Sequence, residues 1–344
     1  MSASRAPRLG AATLTLLLGG AAPQGAVGCQ CAAAPPPETG PAETARPETA
    51  RPETARPEAA RPEAPLPEEA LPPAGAAVLV GVGDIADCGS AGDEATAGLI
   101  RAVLDARPEA RVVALGDNAY PAGSLEQYRR CYLPSWGSFL SRTLAVPGNH
   151  DWLTPDAAGF RATFGLPAEG PLHRGLDFGG WRLLLLDTDC EHADACMAGS
   201  AQLTWLAGEL ALNRGRCTLV LGHHPRFSSG PHGSPAHLQP LWEVLVAGGA
   251  DLILQGHDHL YERFAPLDAQ GRPNAGGPRA ITAGTGGRSA YPLAATPALG
   301  SELRHSGQAG VLVLGLEAAG YTFRFVTVDG RVVDSGRGEC AKGP

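Results

Sequence analysis

The stretch Val112-Val113-Ala114-Leu115-Gly116-Asp117-Asn118-Ala119-Tyr120 is an apolar run that ends in a glycine, a carboxylate and a phenol. The run predicts a buried strand, and Asp117 and Tyr120 fall just beyond it. Oxygen donors of this kind are hard ligands, and imidazoles from elsewhere in the chain would complete a site for iron, manganese or zinc. Gly-Asp-Asn leaving a strand is also ordinary turn chemistry. The reading therefore depends on how the other strands end.

Residues 77–82 read as a strand ending in Gly83-Asp84, and residues 142–146 as one running into Pro147-Gly148-Asn149-His150-Asp151. Residues 217–221 deliver Gly222-His223-His224-Pro225, and 252–254 lead into Gln255-Gly256-His257-Asp258-His259. With Leu115, five predicted strands share one ending; a sixth, 181–186, meets Asp187 and Asp189 without the glycine. Helical patterns lie between them. Ala97, Ile100, Val103 and Leu104 mark a helix over 93–106, Ser124 with Gln127 forms a capping box, and Ser200 precedes Leu203, Leu206 and Leu210. A further helix is expected over 238–247. This alternation is that of a layered α/β domain. In the tail, Tyr321, Phe323 and Phe325 alternate before the hairpin signal Asp329-Gly330. The cluster Gly284-Thr285-Gly286-Gly287 lacks the Lys-Ser/Thr pair of a phosphate-binding loop and reads as a tight turn beside the site.

In open α/β sheets functional groups gather beyond the carboxyl ends of strands. A glycine before each ligand is expected to let the backbone turn where a side chain would clash. These endings would bring together Asp84, Asp117, Tyr120, Asn149, His150, His223, His257 and His259. So many donors exceed what one metal needs. They suit two ions about 3.5–4 Å apart that share a carboxylate and a hydroxide, a geometry fit for in-line attack on phosphorus.

The motifs Gly83-Asp84-Ile85-Ala86, Gly116-Asp117-Asn118-Ala119-Tyr120, Gly148-Asn149-His150-Asp151, Val220-Leu221-Gly222-His223 and Gly256-His257-Asp258-His259 resemble, in order and spacing, those of the calcineurin-like metallophosphoesterases. Tyr120 makes the resemblance strongest to the purple acid phosphatases. It implies a four-layer α/β/β/α sandwich over residues 76–344. It also implies a ferric ion held by Asp84, Asp117, Tyr120 and His259, with Asp117 bridging to a divalent iron, zinc or manganese held by Asn149, His223 and His257. His150 would contact phosphate and protonate the leaving alkoxide, with Asp151 orienting its ring, and His232 would be a further phosphate contact. The implied reaction is hydrolysis of a small phosphate monoester by hydroxide formed at the metals. A phosphodiesterase or nucleotide pyrophosphatase on the same scaffold, and a non-catalytic cell-surface binding lipoprotein, are the alternatives. One departure is Ala86, where the pattern has a second glycine. His224 lies where it could also reach substrate.

Ahead of this domain, Arg5 and Arg8, an apolar segment with Leu14 and Leu16–Leu18, and small residues up to Cys29 read as an export signal over 1–28. Ala26-Val27-Gly28-Cys29 resembles a bacterial lipobox, with Cys29 the lipid anchor of an outer-membrane or cell-surface protein; ordinary cleavage and a secreted or periplasmic product is the alternative. Residues 29–75 form a Pro-rich linker in which Arg-Pro-Glu-Thr-Ala occurs at 46–50 and 51–55. It has little to bury, reads as a disordered stalk, and could reach on the order of 100 Å in polyproline form. Residues 38–70 hold eight Glu and four Arg, so half of the net charge of -8 resides there. A domain so mildly acidic, with Lys342 as the chain's one lysine and no basic block, argues against a dedicated nucleic-acid surface. Six cysteines fall in the domain, and export permits disulfides. Of the fifteen possible pairings, the expected set is Cys88 with Cys131, Cys190 with Cys196 and Cys217 with Cys340.

Overall fold

Among residues 66–193 and 195–341, which the computed structural model describes, the apolar runs become strands with nearly the expected bounds. The strands of the described residues, expected and not, are β1 (Ala77–Val82), β2 (Arg111–Leu115), β3 (Thr143–Val146), β4 (Arg174–Phe178), β5 (Trp181–Leu185), β6 (Thr218–Leu221), β7 (Leu252–Gln255), β8 (Tyr261–Pro266), β9 (Arg279–Ala283), β10 (Ser301–His305), β11 (Gly310–Glu317), β12 (Gly320–Thr327) and β13 (Val332–Glu339). The export signal, Cys29 and the Pro-rich segment through residue 65 lie outside the described residues.

The strands form two sheets. One runs β13-β12-β11-β1-β2-β3 and the other β10-β8-β9-β7-β6-β5-β4. In each, a parallel centre (β1-β2-β3; β5-β6-β7-β9) is extended by antiparallel strands. The central strands are largely apolar because both faces are covered. One core joins Val80, Val113, Leu312 and Phe325 of the first sheet with Leu183, Leu219, Leu252 and Ile281 of the second. Helix Gly92–Ala106 buries Ala97, Ile100 and Val103 against the first sheet. Helices Ala201–Leu212 and Gln239–Ala247 bury Leu203, Leu206, Leu241 and Trp242 over Leu184, Val220 and Ile253 of the second. The result is the expected four-layer α/β/β/α sandwich.

The local signals also hold. Ser124 and Gln127 form a reciprocal capping box, and Ser200 accepts from the Leu203 amide. All three expected disulfides are present: Cys88–Cys131, Cys190–Cys196 and Cys217–Cys340. The bond between the last two ties the start of β6 to the chain's end. The domain begins earlier than expected. Residues 66–75, read as the linker's end, pack on the first sheet: Ala70 is fully buried, Leu66 and Leu71 lie against the core, and Arg324 Nε donates to the Glu69 carbonyl at 2.7 Å. These apolar side chains give the segment something to bury, which the repeat lacks.

Candidate metal centre

Strand register brings the five endings level. Val82 pairs with Ala114 and Leu115 with Val146 in the first sheet, while Leu221 pairs with Leu254 in the second. The residues just past these pairs therefore meet at one edge of the sandwich. Pairing continues through the first motif, where Ala86 bridges Ala119 and its carbonyl accepts from the Tyr120 amide at 2.8 Å. The methyl group that departs from the motif is thus fully buried in a short extension of β1 and β2.

Tyr120 is the hub of one half of the site. Its hydroxyl lies 2.9 Å from Asp84 Oδ1, 3.1 Å from Asp117 Oδ2 and 3.1 Å from His259 Nε2. His259 Nδ1 faces the Ser289 carbonyl at 2.8 Å and so carries hydrogen, which leaves the Nε2 lone pair facing this cluster. The other half is organised on Asp117. His223 Nε2 stands 3.4 Å from Asp117 Oδ2, while its Nδ1 donates to the Leu115 carbonyl at 2.7 Å. The His257 ring centroid lies 5.1 Å from that of His223, and the His257 amide donates to Asp84 Oδ2 at 2.8 Å.

Two atoms test whether the donors fit metal. His223 Nε2 and Asn149 Oδ1 are both buried without a hydrogen-bond partner. Asn149 Oδ1 is a lone-pair donor that burial penalises by about 1–3 kcal/mol without a ligand, and His223 Nε2 becomes one when a cation displaces its proton. Asp84, Asp117 and His223 also bring ligand atoms within 4.8 Å of one another. The set fits a pair of ions.

The ionisation pattern agrees. Burial would raise the Asp117 carboxyl, but His223, and after it His150 and His257, hold it well below the usual range. Burial lowers His223, and Asp117 and Asp84 more than reverse this, pushing it up to about 10. His257 is driven down by burial and by His224 and His223. The Tyr120 phenol is pushed well above its ordinary value by burial, Asp117 and Asp84. A proton on His223 thus balances Asp117 where a cation would otherwise sit.

The glycines act differently from expectation. Of the five glycines in the motifs only Gly116 has positive φ, at 85°; the left-handed side-chain-bearing residues of the site are Asp84 (61°), Asp117 (48°) and His257 (71°). Each costs roughly 1–3 kcal/mol and aims a side chain across the strand ends. The glycines supply room instead. A Cβ on Gly148 would lie 2.2 Å from Asp117 Oδ1, on Gly116 2.4 Å from His223 Nδ1, and on Gly256 2.6 Å from Asp84 Oδ2.

His150 donates its amide to Asp117 Oδ1 at 2.8 Å and sets its ring 4.4 Å from that of Tyr120. Its Nδ1 meets the Pro121 carbonyl at 2.6 Å, which places Nε2 3.9 Å from Asp117 Oδ2. Asp151, expected to orient this ring, has no bond to it. It is fully buried and receives the Gly148 amide, both nitrogens of Asn118 and the Tyr128 hydroxyl. The side chain turns inward because those donors need an acceptor where water does not reach. His232 is brought to the site, its ring 4.1 Å from that of His257. Asp258 orients it through Nδ1 at 2.8 Å, a role the sequence reading missed although Asp258 stood inside a quoted motif. Thr188, Arg288 and Tyr291 were missed as well. Thr188 Oγ1 accepts the amides of His223 and His224, Arg288 lies 4.9 Å over the Tyr120 ring, and Tyr291 stacks on His259 at 4.0 Å.

This chain belongs to the calcineurin-like phosphoesterase family, whose profile matches residues 69–261, more than half of its length. Within that family the likenesses run to acid phosphatases. The chain is 36% identical over 74 residues to an acid phosphatase of Aspergillus ficuum, covering 20% of this chain and 12% of that one. It is 36% identical over 69 residues to purple acid phosphatase 3 of Arabidopsis thaliana, 19% of each. The chain therefore matches less than a fifth of either relative's length. In structure it resembles a purple acid phosphatase from yellow lupin (Lupinus luteus) seeds, with a TM-score of 0.62 and 17% identity over 78% of this chain and 55% of that one. That likeness concerns the fold.

Proposed function

We propose that this protein is an exported, dinuclear metal-dependent hydrolase of small phosphate monoesters. The observation that carries the reading is the convergence of Tyr120, Asp84, Asp117 and His259 around one phenol oxygen, with Asp117 shared with the half-site of Asn149, His223 and His257. A phenolate, two carboxylates and one imidazole suit a ferric ion; an amide and two imidazoles beside a shared carboxylate suit divalent iron, zinc or manganese. The pair would polarise the phosphoryl oxygens and provide the nucleophile.

The chain's own groups do the rest. His150, fixed by Asp117 at its amide and by Pro121 at Nδ1, presents Nε2 as the atom that hands a proton to the departing alkoxide. His232, braced by Asp258, positions a phosphoryl oxygen beside His257. Asp151 holds the Gly148–Asn149 turn that supplies one ligand and the acid. The disulfides support export, and we place the anchor at Cys29, to be checked by mass spectrometry of the mature N-terminus.

Metal analysis of purified protein, with turnover of p-nitrophenyl phosphate and its bis-ester, tests the reading. Two metals including iron, with preference for the monoester, are expected. Two zincs would sink the iron assignment, preference for the bis-ester would favour a phosphodiesterase, and metal-loaded protein without turnover would favour a binding protein.

A further inference from the structure

His224 stands beside the centre with no part in it. A ring nitrogen of His224 lies within 4.8 Å of ligand nitrogens of both His223 and His257, and its ring centroid is 4.4 Å from that of His257. On distance alone it could be a third imidazole ligand. Thr188 decides otherwise. Its Oγ1 accepts the amide hydrogens of His223 at 3.0 Å and His224 at 2.9 Å. A hydroxyl oxygen has two lone pairs and one hydrogen. With both lone pairs engaged, Oγ1 can only donate, and the atom facing it at 3.2 Å is His224 Nδ1. Nδ1 is therefore an acceptor, and the hydrogen of the neutral ring sits on Nε2. The arrangement is the reverse of that at His223 and His259, whose Nδ1 atoms face the carbonyls of Leu115 and Ser289 and must carry hydrogen, so that Nε2 is the nitrogen whose lone pair a cation can take. Gly222 makes the arrangement possible, because a Cβ there would come within 2.9 Å of Thr188 Cγ2.

We infer that His224 is a substrate-binding residue and not a ligand: its Nε2–H donates to an oxygen of the phosphoryl group bound at Asn149, His223 and His257. The inference rests on the proposed phosphoesterase reading. It adds a neutral donor on the side of the second half-site, fixed in one tautomer by Thr188 before substrate arrives. Such a donor stabilises a bound oxyanion without competing for the cation.

The test uses the full chain loaded with zinc, metal analysis, and titration calorimetry with inorganic phosphate. His224→Ala is expected to keep both zincs and raise the phosphate Kd on the order of tenfold or more, as for loss of a hydrogen bond to a charged group. His224→Gln, which can present an N–H from nearly the same place, is expected to recover part of the loss. Loss of zinc from His224→Ala would make the residue a ligand and overturn the inference, and so would an unchanged Kd. Should neither variant fold, nitrogen NMR of the His224 ring in the zinc-loaded wild type reads the tautomer; hydrogen on Nδ1 overturns the inference. Wild-type protein that binds zinc but no phosphate would sink the phosphoesterase reading itself and this inference with it.

Discussion

His223 Nε2 lies 3.4 Å from Asp117 Oδ2 in a fully buried pair that no hydrogen bond closes. In the metal-free protein Asp117 and Asp84 push His223 up to about 10, against the pull of burial. A cation must displace that proton. Metal uptake at pH 7 is therefore expected to release close to one proton from His223, and affinity to rise with pH until about pH 10, beyond which this group contributes no further gain. Calorimetric titrations in buffers of different ionisation enthalpy measure the release. Uptake without it would mean that His223 is not a ligand.

Tyr120→Phe removes one oxygen from the cluster of Asp84, Asp117 and His259. The expected result is a folded protein that still takes up two metals, with weaker hold on the first, and loses the visible absorption of a phenolate-to-iron centre. An absorption spectrum of the iron-loaded variant checks this. Persistence of the colour would place the chromophore elsewhere.

Gly148 and Gly208 form a matched pair. A Cβ on Gly148 would sit 2.2 Å from Asp117 Oδ1 and 2.4 Å from the Asp117 amide, a backbone atom that cannot swing away. Gly148→Ala is therefore expected to abolish metal binding by displacing the shared carboxylate. A Cβ on Gly208, exposed in helix Ala201–Leu212, meets nothing within 4 Å. Gly208→Ala is expected to stabilise the fold by about 0.5–1 kcal/mol and leave metal content unchanged. Urea denaturation and metal analysis of the two variants provide the comparison.

The contrast marks what the chain makes legible. Most of the parallel strands announced themselves as apolar runs, because strands covered on both faces need no alternation. Their ends announced the site, because an acid or imidazole directly after a glycine is local information. Strands β4, β8, β10 and β11 were not read, and of these β4 and β10 are sheet edges. Arg174–Phe178 and Ser301–His305 are partly exposed and mixed in polarity; the first joins β5 in a hairpin across Gly179-Gly180, while the second is held by β8, distant in sequence. Thr188 and Arg288 were missed for a similar reason. Each acquires its role only when a second strand end is laid beside it, Thr188 against His223 and Arg288 over Tyr120. The use of the glycines was misread because their neighbours lie on other strands: Gly148 faces Asp117, and Gly116 faces His223.

Asp151 and His150 are adjacent in sequence and separate in function. Asp151 receives the Gly148 amide at 2.9 Å, the Asn118 side chain at 2.9 Å and the Tyr128 hydroxyl at 2.6 Å, all inside the core. His150 takes its orientation from Pro121 instead. Asp151→Ala leaves those donors unsatisfied, and each costs about 1–3 kcal/mol when buried, so a loss of several kcal/mol in stability is expected, with loosened metal binding through the Gly148–Asn149 turn. His150→Ala is expected to leave stability and metal content close to wild type and to lower kcat by about 10²–10⁴-fold. That loss should be largest for substrates with poor leaving groups, since an alkyl phosphate needs its alkoxide protonated and an aryl phosphate much less. If Asp151→Ala shows the same leaving-group dependence at full stability, the carboxylate acts on the proton donor after all. A uniform loss across leaving groups in His150→Ala would reassign His150 to holding the phosphate.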